Sequence, residues 1–397
     1  MSFSLLAKVI ACLLCLNGCL SELRMVYHWD KIKLSTNGRE LTNLEPYIPE
    51  NNIVHRLRIW NNTLYFAVPR FRPGVPATLC QSSKVDVVEP YPSLGFQTVG
   101  NCFGLQNIKD IEVDHLGQLW ALDVGKVNDM YQANYTCDPK LVVIDLRSNK
   151  IVRSAILPKS MFTIQSVLSG LTIDLKTMMA IITDLGPDPG FIAYNFQTGI
   201  YQKFSCQILY GKKGYDEAQM VVSAIDSLLY FTTVQLDKLY TIPMSVFDAS
   251  LLIDVSHHVN NQGFKPDKST AMTFDTAGNL FLAMPKKIIV WNTLRHNFEV
   301  TELYTQDIRL EWITSLAFDT HGFIWITTSA FRSFLDGSEP RKPNMKIYKR
   351  YCGTTAFALQ GTFSPMNTSN LTNSANRKNI QNIYTLIAIF LTVLNFC

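Results

Sequence analysis

Apolar and polar positions along the chain recur as a hairpin unit, clearest over residues 111–125, IEVDHLGQLWALDVG. An apolar strand ends at an Asp, a short turn carries a Gly, and a second apolar strand follows: Val113, Asp114, Gly117, then Leu119 to Leu122. The pattern returns as Phe274, Asp275, Gly278 and Leu280 to Ala283, and as Phe318, Asp319, Gly322 and Ile324 to Thr327. Weaker copies lie at Asp174 with Ala180 to Thr183, at Asp226 with Leu229 to Thr232, and at Trp60 with Leu64 to Val68. About six units at spacings of roughly 45 to 60 residues match one four-stranded propeller blade each. A lone small sheet leaves its edges unpaired, whereas a ring of sheets buries face on face and closes on itself. The prediction is an all-β fold, a six-bladed β-propeller over residues 22–363. The recurring Asp and Gly suit turn chemistry, the Asp accepting from backbone amides two residues on and the Gly taking a positive φ.

Between the repeats, residues 140–153, 191–204 and 238–247 each read as an apolar run, a polar turn and a second run, the outer strand pairs of successive blades. Residues 26–34 (VYHWDKIKL) alternate as a strand outside the repeats, either latching the last blade or lying on the surface. The termini differ from this body. Residues 1–21 carry Lys8 and an apolar run from Val9 to Leu16, too short to span a bilayer and placed where a secretory signal belongs. Residues 364–397 form a polar stalk and an apolar tail, and small residues at Asn373, Ser374 and Ala375 complete the pattern that directs exchange for a glycolipid anchor. A poorly folded tail and a short single span are the other readings. The localisation expected is extracellular, with membrane attachment through the tail if the anchor forms.

The net charge of +4 includes Lys8, Arg377 and Lys378, and without these three the body stands near +1. Such a body has no electrostatic footprint for nucleic acid, so no nucleic-acid partner is expected. Metalloprotease, nucleophile-elbow, phosphate-loop and dinucleotide motifs are absent from the sequence. Of seven histidines only His257 and His258 are adjacent, and neighbours on a strand point to opposite faces, so neither a metal site nor a cofactor is expected. Asp123 and Asp184, near the ends of inner strands, are the nearest acid–base candidates, although an Asp bonded to backbone amides fits them better.

Ala67-Val68-Pro69-Arg70 followed by Pro73 to Leu79 (PGVPATL) resembles the signature of the insect yellow and major royal jelly protein family. Pro90-Tyr91-Pro92, Asn101-Cys102, Val113-Asp114, Leu119-Trp120, Leu122-Asp123 and Cys137-Asp138-Pro139 follow in the same order. The resemblance extends over roughly residues 25 to 360 and implies a six-bladed propeller. It also implies a disulfide between Cys102 and Cys137, worth about 3 to 4 kcal/mol by loop entropy. The family's further cysteines are missing at His115 and before Trp291, which leaves Cys80, Cys206 and Cys352 unassigned. Sequons at Asn61, Asn134, Asn367 and Asn370 are candidate glycosylation sites.

Three functions follow from the resemblance: a secreted or surface propeller binding a small aromatic amine or catechol-derived ligand, a dopachrome-converting enzyme of the melanin pathway, or a cuticle protein without a ligand. Amine-binding relatives resemble the chain over residues 310–331 and imply a ligand site at Trp312, Thr314, Ser329 and Phe331, where Ser329 replaces an Asn. An aromatic face there would attract an ammonium and the Thr hydroxyl would accept from it. Phe331→Ala is expected to weaken binding of an aromatic amine at least several-fold and to leave melting nearly unchanged.

Overall fold

The computed structural model of the chain describes residues 22–41, 46–85, 87–210, 215–248, 253–295, 297–298, 302–338 and 342–359. All of them fall in the first of two units, Met1–Gln360. The expected signal segment, the apolar tail and the sequons at Asn367 and Asn370 lie outside the described residues.

Six four-stranded antiparallel sheets form the blades of a β-propeller. Their inner strands are Arg56–Trp60, Ile108–Val113, Leu168–Asp174, Ala218–Ser223, Ala271–Phe274 and Ile313–Phe318, each beside the next, with the sixth meeting the first. The second strands are Thr63–Ala67, Gln118–Asp123, Met179–Asp184, Leu228–Thr233, Asn279–Met284 and Phe323–Ser329. The repeated sequence unit is therefore the inner hairpin of every blade. Its central positions, such as Leu119, Ala180, Leu229, Leu280 and Ile324, are fully buried between blades.

The turn aspartates are structural. Asp114 Oδ1 accepts the amides of Leu116 and Gln118 at 2.9 Å, and Oδ2 accepts Trp120 Nε1 at 3.0 Å. Asp319 repeats the arrangement with His321, Phe323 and, at 2.8 Å, Trp325 Nε1. Each carboxylate thus fixes a tight turn and anchors the indole that fills the blade interface. Gly117 and Gly322 sit at φ 71° and 85°, but the weaker copies place Met178 at 57° and Ser227 at 56°. The left-handed geometry persists where glycine is absent, which is why those copies are faint in sequence.

Arg24–Trp29 pairs with Met345–Tyr351 as the outermost strand of the sixth blade, so the N-terminal strand is the latch. Beyond it Leu34 bridges to Val88 of the first blade, and Tyr27, Trp29 and Ile32 share a core with Leu57, Phe66 and Ile347 across the seam. Residues 140–153 and 191–204 form outer strand pairs as expected. Residues 238–247 do not: Lys238–Pro243 is a third strand, but Met244–Asp248 is a 3₁₀ helix and the outer strand is Asn260–Phe264. Met244, Val246 and Phe247 pack instead with Phe191 and Phe204 at the end of the neighbouring blade. His257 and His258 lie in a 3₁₀ turn, not a strand.

Cys102 and Cys137 form a disulfide, while Cys80, Cys206 and Cys352 are free thiols. Arg70 of the signature is buried and donates to the carbonyls of Val75, Pro76 and Gln97, while its amide donates to Asn107 Oδ1. It shapes the loop that presents Phe71 and Arg72 at the channel mouth.

Asp319→Ala strips the acceptor from two amides and a buried indole, and is expected to cost about 3 kcal/mol in denaturant unfolding. Met178→Gly relieves a left-handed non-glycine residue and is expected to add about 1 kcal/mol. Unchanged midpoints in both variants would overturn this account of the turns.

Candidate functional site

The inner strands point charged side chains into the channel. Arg56 and Arg58 alternate on the first blade, Asp110 and Glu112 on the second, and Glu217 immediately precedes the inner strand of the fourth. Arg58 makes a two-pronged ion pair with Glu112. Arg56 Nε lies 3.3 Å from Asp110, its Nη2 donates to Glu217 Oε1 at 2.6 Å, and its Nη1 donates to the Thr314 carbonyl at 2.5 Å. Asp110 also accepts the Leu171 amide at 2.9 Å. One guanidinium and its partners thereby join blades one, two, three, four and six.

Glu217 is saturated with donors. His55 Nε2 approaches Oε1 at 2.6 Å and Tyr215 donates to Oε2 at 2.6 Å. Burial alone would raise the Glu217 carboxyl, but Arg56 and these hydrogen bonds outweigh it and hold the group at about 2. Burial pushes His55 below the usual imidazole value, so the ring is neutral. Glu217 requires the proton on Nε2, and Nδ1 is left without a partner. Burial lifts Asp110 to about 6 against the pull of Arg56 and Arg58.

Above this cluster a cavity of about 1070 Å³ opens at the channel mouth. Phe71, Tyr135, Phe162 and Tyr215 supply aromatic walls, and Lys109, Asp129 and Glu217 supply charge. Lys109 Nζ lies 2.7 Å from Asp129 Oδ2 and 3.8 Å from the centre of the Phe71 ring. Asp129 Oδ1 has no hydrogen-bond partner. The disulfide and Thr136 form part of the rim.

Trp312, Thr314, Ser329 and Phe331 come together at the mouth end of the sixth blade, but none of the four lines this cavity. The Ser329 amide donates to the Trp312 carbonyl. Thr314 Oγ1 donates to the Val54 carbonyl at 3.3 Å, and the buried Ser329 Oγ has no partner. Phe331 begins a short helix, Phe331–Asp336, and is fully buried. It packs on Tyr215 at 5.1 Å, His55 at 5.4 Å, Phe71 at 5.7 Å and Trp312 at 5.9 Å between ring centres. The four residues form a layer behind the cavity wall. Phe331→Ala therefore empties a packed site, at about 3 to 5 kcal/mol, and the expectation of unchanged melting does not hold.

Asp123 and Asp184 are not poised for proton transfer. Asp123 accepts the amides of Gln106, Asn107 and Gly125, and Asp184 accepts those of Val167 and Gly186 with the Ser166 hydroxyl. The groups sequence reading missed are Arg56, Asp110, Lys109, Asp129, Tyr215 and Glu217. The one signal for Arg56, Lys109 and Asp110 is the charge pattern of RLRIW against IKDIEV in the first strands of consecutive units, and Asp129, Tyr215 and Glu217 lie outside both segments. Asn61 and Asn134 are exposed, Asn61 in a turn at φ 45° and Asn134 beside the rim residues Tyr135 and Thr136. Among the described residues no group of three or more His, Cys, Asp or Glu is placed to hold a metal ion.

The family profile described as "Major royal jelly protein" matches residues 107–354, well over half of the chain. The dopaminechrome tautomerase of Drosophila melanogaster is 29% identical over 169 residues, 39% of this chain and 36% of that protein. Protein yellow of Drosophila guanche is 27% identical over 218 residues, 51% of this chain and 38% of that protein. Each alignment therefore spans little more than a third of the relative. A luciferin-regenerating enzyme superposes with a TM-score of 0.50 over 85% of this chain and 97% of that chain at 12% identity, a likeness of fold alone.

Glu217→Gln leaves Arg56 short of its nearest anion and is expected to destabilise the ring by about 3 to 5 kcal/mol. The folded-state carboxyl is depressed from 4.5 to about 2, so its contribution is present above about pH 4.5 and fades as pH falls through that window. Stability measured from pH 5 to 2 should fall less steeply in the variant. An identical slope would show that Glu217 is not held ionised by the cluster.

Proposed function

The chain belongs to the major royal jelly protein family, and from that membership and the channel mouth we propose that it binds a small aromatic, catechol-derived molecule outside the cell. The observation that carries the reading is the cavity, in which aromatic walls meet a Lys109–Asp129 pair whose Asp129 Oδ1 is unpartnered. Aromatic rings offer stacking faces to a catechol or indole, and a buried carboxylate oxygen that lacks a donor suits an ammonium. Trp312, Thr314, Ser329 and Phe331 serve as backing, Phe331 holding the Tyr215 ring in place. The Cys102–Cys137 disulfide supports an oxidising compartment. The similarity to a dopaminechrome tautomerase supports a link to catecholamine-derived pigment chemistry.

A second reading, conversion of a dopachrome-type substrate, is favoured by the Tyr215–Glu217–His55 network bordering the cavity. Tautomerisation needs a group that accepts a proton near neutral pH. Glu217, held at about 2, is a poor one, and binding is the better-supported activity.

Calorimetric titration with dopamine and with catechol tests the proposal. Both should bind, and Asp129→Asn should weaken dopamine about tenfold, the loss of one charge-assisted contact, while changing catechol less. No binding of either at millimolar concentration would refute the reading, and equal loss for both would remove Asp129 from amine recognition. Disappearance of dopaminechrome faster than with heat-treated protein, and slowed by Tyr215→Phe, would favour the second reading.

A further inference from the structure

Lys109 is placed unlike the other lysines of the channel mouth. It extends from the inner strand Ile108–Val113 into the cavity wall and is 8% exposed, with Nζ between the Phe71 face and Asp129 Oδ2. Lys126 instead donates to the Ser166 carbonyl, and Lys159 pairs with Asp138 on the exposed rim. An ammonium held in an apolar wall beside a carboxylate has a receiver for its proton within one hydrogen bond. The other charged neighbours are Glu217, which favours the ammonium, and Lys126, which opposes it.

We propose that Lys109 is a nucleophilic amine that captures an aromatic carbonyl compound in the cavity as a Schiff base. The ammonium passes one proton to Asp129 Oδ2, and the free amine attacks the carbonyl carbon, breaking the C=O π bond; a second nitrogen proton moves to the oxygen and gives a carbinolamine. The carbinolamine hydroxyl then takes a proton and leaves as water, and the C=N bond forms from the nitrogen lone pair. No oxidant or reductant is consumed, and Asp129 acts first as acceptor and then as donor. Burial is the largest influence on the Lys109 amine and lowers it below the usual lysine value, outweighing the pull of Asp129. The aromatic walls select an aryl carbonyl over an aliphatic one by stacking. The inference deepens the proposed binding function by naming an electrophilic ligand class for the same cavity.

The test is incubation of the full chain with 3,4-dihydroxybenzaldehyde and cyanoborohydride, followed by intact mass and peptide mapping. Lys109 should be labelled several-fold faster than Lys126 or Lys159, because the cavity holds an aryl carbonyl against its amine, which burial lowers. Lys109→Arg, which keeps the charge and cannot condense, should lose the label and retain the melting transition. Labelling at Lys109 that excess catechol suppresses supports both the inference and the binding reading. Labelling at Lys109 without any catechol binding keeps the inference and removes the catechol reading. Catechol binding with no label, or with label spread evenly over surface lysines, overturns the inference and leaves the binding reading standing.

Discussion

The architecture depends on one buried guanidinium. Arg56 meets a carboxylate of the second blade, a carboxylate of the fourth and a backbone carbonyl of the sixth, and Asp110 passes the connection to the third. Removing such groups from water offsets most of their mutual attraction, so the net stabilisation is modest. A slipped blade, however, would leave a charge buried and unpaired at about 3 to 5 kcal/mol. The hub therefore selects register more than it adds stability. The sealing of the ring at its rim falls to the N-terminal strand and the apolar seam behind it.

The hub also decides where a ligand can go. Arg56, Asp110, Arg58 and Glu112 occupy the channel between the first two blades, and their pairing leaves no open polar acceptor among those carboxylates. A cavity opens at the mouth, where loops from the first two blades and the connections into the third and fourth converge. The Arg70 carbonyl network and the Cys102–Cys137 disulfide hold these loops, so the residues that carry the family signature act on the site by shaping it.

What was legible in the sequence was what repeats. Turn aspartates in five units, positive-φ glycines in three and buried second strands in all six recur because every blade solves the same packing problem, and the six inner hairpins could be read from them. The outer strand Asn260–Phe264 could not, because its NNQGF sequence is polar and faces solvent at a sheet edge. The nearby apolar residues Val246 and Phe247 belong to a 3₁₀ turn filling a blade end, and they imitated a strand. The channel charges occur once each and sit far apart in sequence, with Arg56 and Glu217 separated by 161 positions. Beyond the charge pattern of the first two inner strands, nothing local distinguishes them from solvated charges on a strand. The blade-six group was found through family likeness, and Trp312 and Phe331 do meet, but the likeness could not reveal that the short helix begun at Phe331 turns that ring inward.

The same electrostatics assign the polar work at the mouth. Glu217 is kept ionised by Arg56, and an ionised carboxylate only accepts, so the Tyr215 hydroxyl is committed to it as donor. That hydroxyl cannot donate to a ligand without leaving a buried anion short of a hydrogen bond, a loss of about 1 to 3 kcal/mol. Phe331 packed against the Tyr215 ring further resists the rotation that would free it. Tyr215 therefore meets a ligand with its ring, and the charged recognition passes to the Lys109–Asp129 pair, where one carboxylate oxygen is uncommitted. The register-setting hub thus fixes which side chains of the cavity are free to do chemistry, and that division follows from the charge of a residue that does not line the cavity itself.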